Sequence, residues 1–240
     1  MSVAKKSLNI TFPMPKNANN TLRNDHGFYV ATSEGGKTSA LKLLPRIKAT
    51  DQVIFFDPYG DYHGHFKGQA VTVCHTIGEF YKAAAAGRKS AKPFKIAYTP
   101  PIARQRDFDL FCGVAWSLGN GKHRKRLHCV LEEVAQFCQG NAKADGYLGN
   151  LISVGRKFGL VVSTLFQRGQ EVPKTIIGNS TYKWIGMQER DKDAAYLAEE
   201  TGVPFEEIKS LVQLEYIIKL PGHKTNYQRG KLRFKTKLAA

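Results

Sequence analysis

Short runs that are apolar at nearly every position recur from residue 27 onward, each separated from the next by helix-like sequence. The fullest is Gly159–Leu165 (GLVVSTL), rich in β-branched residues. Gln52–Asp57 (QVIFFD) and Leu127–Glu132 (LHCVLE) are similar, and each ends in an acid. A strand with one face in water alternates apolar and polar residues, whereas a strand covered on both faces is apolar throughout. Such runs alternating with helices predict an α/β fold, a mostly parallel sheet covered by helices. Ligands of these sheets bind beyond the carboxyl ends of the strands, so polar residues at those ends are where chemistry is expected.

Further strands are expected at Leu8–Phe12, Gly27–Ala31, Ala70–Cys74, Phe94–Tyr98 and Tyr182–Met187. Helices are expected at Lys37–Ile47, stopped near Pro45, and at Ile77–Ala86, Phe108–Leu118, Asp191–Thr201 and Phe205–Val212. Helical sequence also follows Leu127–Glu132 and runs to about Lys157. The chain closes on a predicted β-hairpin, Leu214–Leu220 and Tyr227–Lys237, around Pro221–Gly222. Residues 1–26 read as an irregular N-terminal extension and 27–240 as one domain, a length that suffices for a substantial core. No apolar run approaches the roughly 18 residues of a membrane span, and the N-terminus lacks the pattern of a signal peptide. A soluble protein of the cell interior is the expectation. Cys74, Cys112, Cys129 and Cys138 show no CxxC spacing and sit in apolar contexts, which points to buried free thiols.

The chain carries 36 Lys and Arg against 20 Asp and Glu, a formal net charge of +16. An excess of this size repels itself, and a polyanionic partner relieves it. Nucleic acid is the first candidate and an anionic membrane surface the second. The charge is uneven: Tyr216–Ala240 holds seven Lys or Arg and no acid, whereas Glu189–Glu215 holds eight acids.

After the first strand of the domain comes Ala31, Thr32, Ser33, Glu34, Gly35, Gly36, Lys37, Thr38, with Ser39 opening the helix. This is the spacing GxxxxGK[ST], with Ala31 in place of the first glycine. Backbone N–H groups wrapped round a phosphate at a helix N-terminus need the close approach that Gly35 and Gly36 permit. Lys37 would reach the β- and γ-phosphates of ATP, and Thr38 would place its hydroxyl on Mg2+. Glu132 and Glu133 end the Leu127 strand. The first would hold the metal and the second would deprotonate the attacking water. Alone, such a pair is an ordinary helix start; about ninety residues after a phosphate loop, it reads as its partner. Gln167 follows the Gly159–Leu165 run and would sense the γ-phosphate or the water. Arg156, just before that run, is either a cation at a helix C-terminus or a finger supplied to a neighbouring subunit.

With these residues in place the sequence resembles the HerA/FtsK superfamily of DNA-translocating P-loop ATPases. The resemblance rests on ATSEGGKT (31–38), VIFFDPYGDY (53–62), LHCVLEEVAQF (127–137) and GRKFGLVVSTLFQRGQEVPKTIIGNSTYKWIG (155–186). Its short length looks most like the genome-packaging ATPases of tailless, membrane-containing double-jelly-roll viruses and phages, with neither N-terminal barrel nor membrane anchor expected. The resemblance implies a RecA-like core and a homohexameric ring around duplex DNA, with Arg156 acting in trans. It departs from the family at Ala31 and at Glu132, where aspartate is usual.

Three basic segments are candidate DNA contacts: Lys122, Arg124, Lys125 and Arg126 before the Leu127 strand; Lys143 after it; and Lys231, Arg233, Lys235 and Lys237, which alternate along the last strand. The first lies at the amino end of the sheet, opposite the ATP, where a capsid or virion-membrane partner is an alternative. Phosphate contacts need only charge and reach, so sequence-independent binding is expected. His63 and His65 lack nearby co-ligands in the sequence and read as a loop pair. The reading is a viral genome-packaging motor, present in the host cytoplasm or at a virion vertex. A cellular HerA-like translocase, a filamentous-phage assembly ATPase and a non-hydrolysing nucleic-acid-binding virion protein stay open.

Overall fold

The computed structural model describes residues 11–138, 143–223 and 225–234. Residues 8–10 of the first expected strand, and Lys235 and Lys237, lie outside them.

A nine-stranded sheet forms the centre. In chain order its strands are β1 (Gly27–Val30), β2 (Gln52–Phe56), β5 (Thr72–Cys74), β6 (Phe94–Tyr98), β7 (Leu127–Leu131), β8 (Leu160–Phe166), β9 (Tyr182–Gly186), β10 (Glu215–Lys219) and β11 (Tyr227–Lys231). Across the sheet they run β11-β10-β9-β1-β8-β7-β2-β6-β5. The seven from β9 to β5 are mutually parallel. β10 and β11 continue the sheet antiparallel, as the predicted hairpin. A separate ribbon pairs β3 (His65–Phe66) with β4 (Gln69–Ala70).

All seven residues of β8 are buried, as the unbroken apolar pattern requires. Successive residues alternate between two cores. Phe28, Val30, Ile54, Phe56, Cys129 and Leu131 belong to the core on one face. Tyr29, Ala31, Val53, Phe55 and Val130 belong to that on the other. The first face is covered by α2 (Ile77–Arg88), α3 (Gln105–Ser117), α4 (Gly146–Ser153), α5 (Lys174–Asn179), α6 (Asp191–Thr201) and α7 (Phe205–Lys209). The second receives α1 (Lys37–Leu43), through Ala40 and Leu41, and the buried rings of Tyr62 and Phe66.

The helical sequence expected from β7 to Lys157 is divided into a 3-10 turn (Val134–Phe137), α4 and a second 3-10 turn (Gly155–Phe158). α1 stops at Leu43, just ahead of Pro45 as expected, because the residue before a proline is pushed out of the α region. All four cysteines are free thiols, three of them buried. Residues 11–26 follow the amino ends of the strands. Asn17 and Asn19 bond to Asn120 and Gly121, and Asn24 to the carbonyl of Asn179. His26, 1% exposed, accepts the Val162 N–H of β8 on Nδ1 at 3.0 Å.

Candidate nucleotide-binding site

β1 ends at the phosphate loop and α1 begins at Lys37. The loop places Glu34 at φ 58° and Gly36 at φ 93°, left-handed positions that turn successive N–H groups into one concavity. Glu34 bears the cost of a side chain there, about 1–2 kcal/mol. Ala31 is buried with ordinary negative φ. Its methyl fits because both neighbours are glycines: a Cβ on Gly35 would lie 2.7 Å from it, and one on Gly186 2.9 Å. The missing first glycine is therefore offset across the loop.

Lys37 Nζ folds back onto the carbonyls of Ala31 (3.0 Å) and Thr32 (3.2 Å). Burial pulls its pKa below the usual lysine value, against the opposing charges of Glu133, Glu132 and Asp61. An incoming phosphate replaces two carbonyl dipoles with full negative charge. Thr38 Oγ1 donates to Glu132 Oε1 at 3.2 Å, so α1 and the tip of β7 meet across the intervening strand β8.

The two glutamates separate because Glu133 is itself left-handed (φ 47°, ψ 42°). Glu132 turns inward, 4% exposed, and burial raises its pKa to about 8. Glu133 turns toward β8, where the Gln167 amide donates to Oε1. The Thr38 hydroxyl and the Glu132 carboxylate form an oxygen-only donor pair, the chemistry that Mg2+ takes.

Tyr62 was not singled out by sequence reasoning. Its hydroxyl bonds Glu132 Oε1, the oxygen that also accepts from Thr38. The ring is 1% exposed and stacks on Phe55 with centroids 4.2 Å apart. The signal lay in the DPYGDY stretch. Buried Asp57 accepts the N–H groups of Asp61 (2.8 Å) and Tyr62 (3.1 Å), and the turn so fixed sends Tyr62 under the loop. Beside α1, a cleft of about 400 Å³ is lined by Glu34, Lys37, Thr38, Ser39, Leu214 and Phe234. Leu214 and Leu232 of the C-terminal hairpin pack against Gly36.

Lys37, Thr38, Glu132, Glu133 and Gln167 thus converge at the carboxyl end of the sheet. Lys143 is exposed and borders a separate cleft of about 470 Å³ between α3 and α4 at the same end. Lys231 and Arg233 are exposed on either side of buried Leu232, the alternation expected from the sequence. Arg156 lies at the opposite, amino end, donating to the carbonyls of Leu22 (2.8 Å) and Asn20 (3.3 Å). The loop 122–126 lies there too: Lys122 and Arg124 are exposed, whereas Arg126 pairs with Asp25 and donates to the Arg23 carbonyl.

A phosphate loop between the first strand and helix, with an acid on the next strand but one and a polar strand tip between them, defines a P-loop NTPase fold. No family model matches the chain. It is 23% identical over 191 residues to Protein P9 of Pseudoalteromonas phage PM2, covering 80% of this chain and 81% of that protein. Among solved structures it resembles the genome-packaging NTPase B204 of Sulfolobus turreted icosahedral virus 2 in complex with AMPPCP (TM-score 0.67, 14% identity, 88% of this chain and 99% of that one). VirB4 of Thermoanaerobacter pseudethanolicus (TM-score 0.63, 13% identity, 89% and 90%) is similar. So is the bacterial conjugative coupling protein TrwB (TM-score 0.59, 13% identity, 88% and 85%). The HerA/FtsK resemblance drawn from the four sequence segments therefore holds in the fold. No helix among the described residues is long and apolar enough to cross a membrane.

Proposed function

We propose that this chain is an ATP-driven DNA translocase, the genome-packaging motor of a virus, whose single ATPase domain spans residues 27–240. The observation that carries the reading is the convergence of Thr38, Glu132, Glu133 and Gln167 on one phosphate loop at three adjacent strand ends. ATP lies with its phosphates on residues 31–39 and its base in the cleft against Leu214 and Phe234. Lys37 leaves the carbonyls of Ala31 and Thr32 for the β- and γ-phosphates. Mg2+, held by Thr38 and Glu132, supplies charge neutralisation on those phosphates. Tyr62 orients Glu132. Glu133 accepts the proton of the attacking water, and Gln167, in contact with Glu133, reports whether the γ-phosphate is present.

The assembly is a homohexameric ring with duplex DNA in its channel, acting in the host cytoplasm and at a virion vertex beside capsid or virion-membrane proteins. Arg156 reaches a neighbour's ATP only by leaving the carbonyls of Asn20 and Leu22. The similarity to a viral packaging NTPase and to conjugation proteins supports the translocase class, and that to a phage protein supports the viral setting.

The test is ATP turnover by the full chain with and without duplex DNA. DNA is expected to stimulate turnover. Lys37→Ala abolishes it, and Glu133→Gln retains ATP binding while slowing turnover by about 100-fold or more, the range of a lost general base. Normal turnover in both variants rejects the assignment.

A further inference from the structure

The net charge is divided between the two ends of the sheet. β1, β8, β7, β2 and β6 are adjacent and parallel, so the segments leading into them (16–25, 155–159, 118–126, 44–51 and 88–93) share one face. Those segments hold thirteen Lys and Arg against two acids, Asp25 and Asp51. The segments leaving the carboxyl ends around the ATP site (31–37, 57–64, 99–104, 132–145, 167–173 and 187–190) hold five Lys and Arg against eight acids. Most of the chain's positive excess therefore faces away from the nucleotide.

Not all of the amino-end charge is free. Arg88 is buried and bonds to Gln52, His123 and the Lys125 carbonyl, and Arg156 is held by Asn20 and Leu22. Lys16, Arg23, Lys48, Lys89, Lys122 and Arg124 are exposed. In the middle of the face, a cleft of about 320 Å³ is lined by Asp25, Arg46, Arg126, His128 and Val161. Arg126 is paired there with Asp25 and Arg46 donates to the Asp25 carbonyl, so the free charge of the face lies with the exposed side chains around this cleft.

We propose that this amino-end face docks the phosphodiester backbone of duplex DNA; the inference rests on the translocase reading and locates its DNA contact opposite the ATP site. Five strands at about 4.8 Å spacing make the face about 20 Å wide. A duplex presents about a dozen phosphates over that length, of the same order as the face's positive excess. Asn17, Asn20, Thr21, Thr50 and Ser90 are exposed among the cations, and side chains of these types hydrogen-bond phosphate oxygens. Among the described residues, the large exposed apolar side chains at this end are Met14, Leu43 and Leu220, too few to anchor the protein in a bilayer interface.

The test is duplex binding by the full chain without nucleotide, followed by fluorescence anisotropy across a salt series. Lys122→Ala/Arg124→Ala/Lys125→Ala removes three cations from this face. Lys143→Ala/Lys231→Ala/Arg233→Ala removes three from the other end. The amino-end triple variant is expected to weaken binding by about 10- to 100-fold at 0.15 M salt and to flatten the log–log salt slope by about 2–3. The carboxyl-end triple variant keeps the slope to within about 1. Equal loss in both triples overturns the face, as does an unchanged slope in the amino-end triple with its melting temperature intact. In both cases the translocase reading survives if DNA still stimulates wild-type turnover. No duplex binding by the wild type overturns both. Tighter wild-type binding to vesicles of equal phosphatidylserine and phosphatidylcholine than to duplex at matched phosphate assigns the face to a membrane and overturns the DNA proposal.

Discussion

Tyr62→Phe isolates one hydroxyl at the centre of the proposed site. The ring keeps its stack on Phe55 and its edge contact with Phe66, so the core is undisturbed. What is lost is the hydrogen bond to Glu132 Oε1, in a place water does not reach. A hydrogen bond to a charged group contributes about 1.5–3 kcal/mol. If Tyr62 holds the Glu132 carboxylate ready for the cation, that energy is lost from metal binding. The half-saturating Mg2+ concentration for ATP turnover then rises by about 10- to 150-fold, since each 1.4 kcal/mol is tenfold. Excess Mg2+ restores most of the turnover rate. The fold itself loses one neutral contact, about 1 kcal/mol, or 2–4 °C in melting temperature for a chain of this size. The assay is steady-state turnover across a Mg2+ titration at fixed ATP, with thermal melting of the same samples. An unchanged Mg2+ midpoint with an unchanged rate refutes the role given to Tyr62. A rate lowered equally at all Mg2+ concentrations refutes the metal-positioning argument in particular.

Phe234→Ala removes an exposed ring from the cleft beside α1; KM for ATP is expected to rise about 5- to 10-fold, the worth of one stacking contact, with kcat little changed. A pure kcat effect in the kinetics removes Phe234 from base binding. His26 provides a stability prediction with a definite sign. Burial lowers its pKa from 6.5 to about 4, so the unfolded chain binds a proton that the folded chain refuses. Stability is therefore full above pH 6.5 and falls as the pH drops toward 4, by about 3 kcal/mol for this group. His128, lowered to about 4 mainly by burial, adds in the same direction. Urea unfolding at pH 7 and pH 4.5 measures the loss, and His26→Gln should shallow the difference; an identical pH dependence in that variant counts against the assignment.

The sheet was legible because its strands are buried on both faces. Nothing but an apolar run satisfies the seven positions of β8, and β6 and α6 fall on the residues expected. The phosphate loop was legible because its chemistry is local in sequence. What the chain order conceals is set by conformation at single residues. Glu132 and Glu133 read as a pair, but their divergence depends on the left-handed backbone of Glu133, which no pattern of glutamates encodes. Tyr62 reads as one more aromatic residue until the Asp57 turn carries it beneath the loop. α5 escaped notice because six residues after Pro173 are too few for a helical period to show. The basic residues were counted correctly but not weighed. A sequence gives Arg88, Arg126 and Arg156 the same charge as Arg124, while the structure commits the first three to carbonyls and side chains of their own chain.

The two ends of the sheet are joined by the same strands. β1 runs from His26 to the phosphate loop, β7 from Arg126 to Glu132, and β8 from the Arg156 turn to Gln167. At about 3.3 Å per residue these are rods of roughly 13–23 Å. Val30, Cys129, Val130, Leu131, Val162, Ser163 and Leu165 have no exposed surface, and close-packed interiors transmit displacement instead of absorbing it. On the proposed function, a movement of Gln167 on loss of the γ-phosphate would pass along β8 to the 155–159 turn and to Asn20 and Leu22, whose carbonyls Arg156 holds. His26 fastens β1 to β8 at that same end through Val162. In this geometry the parallel strands, buried because they are apolar throughout, join the proposed nucleotide site to the basic face directly.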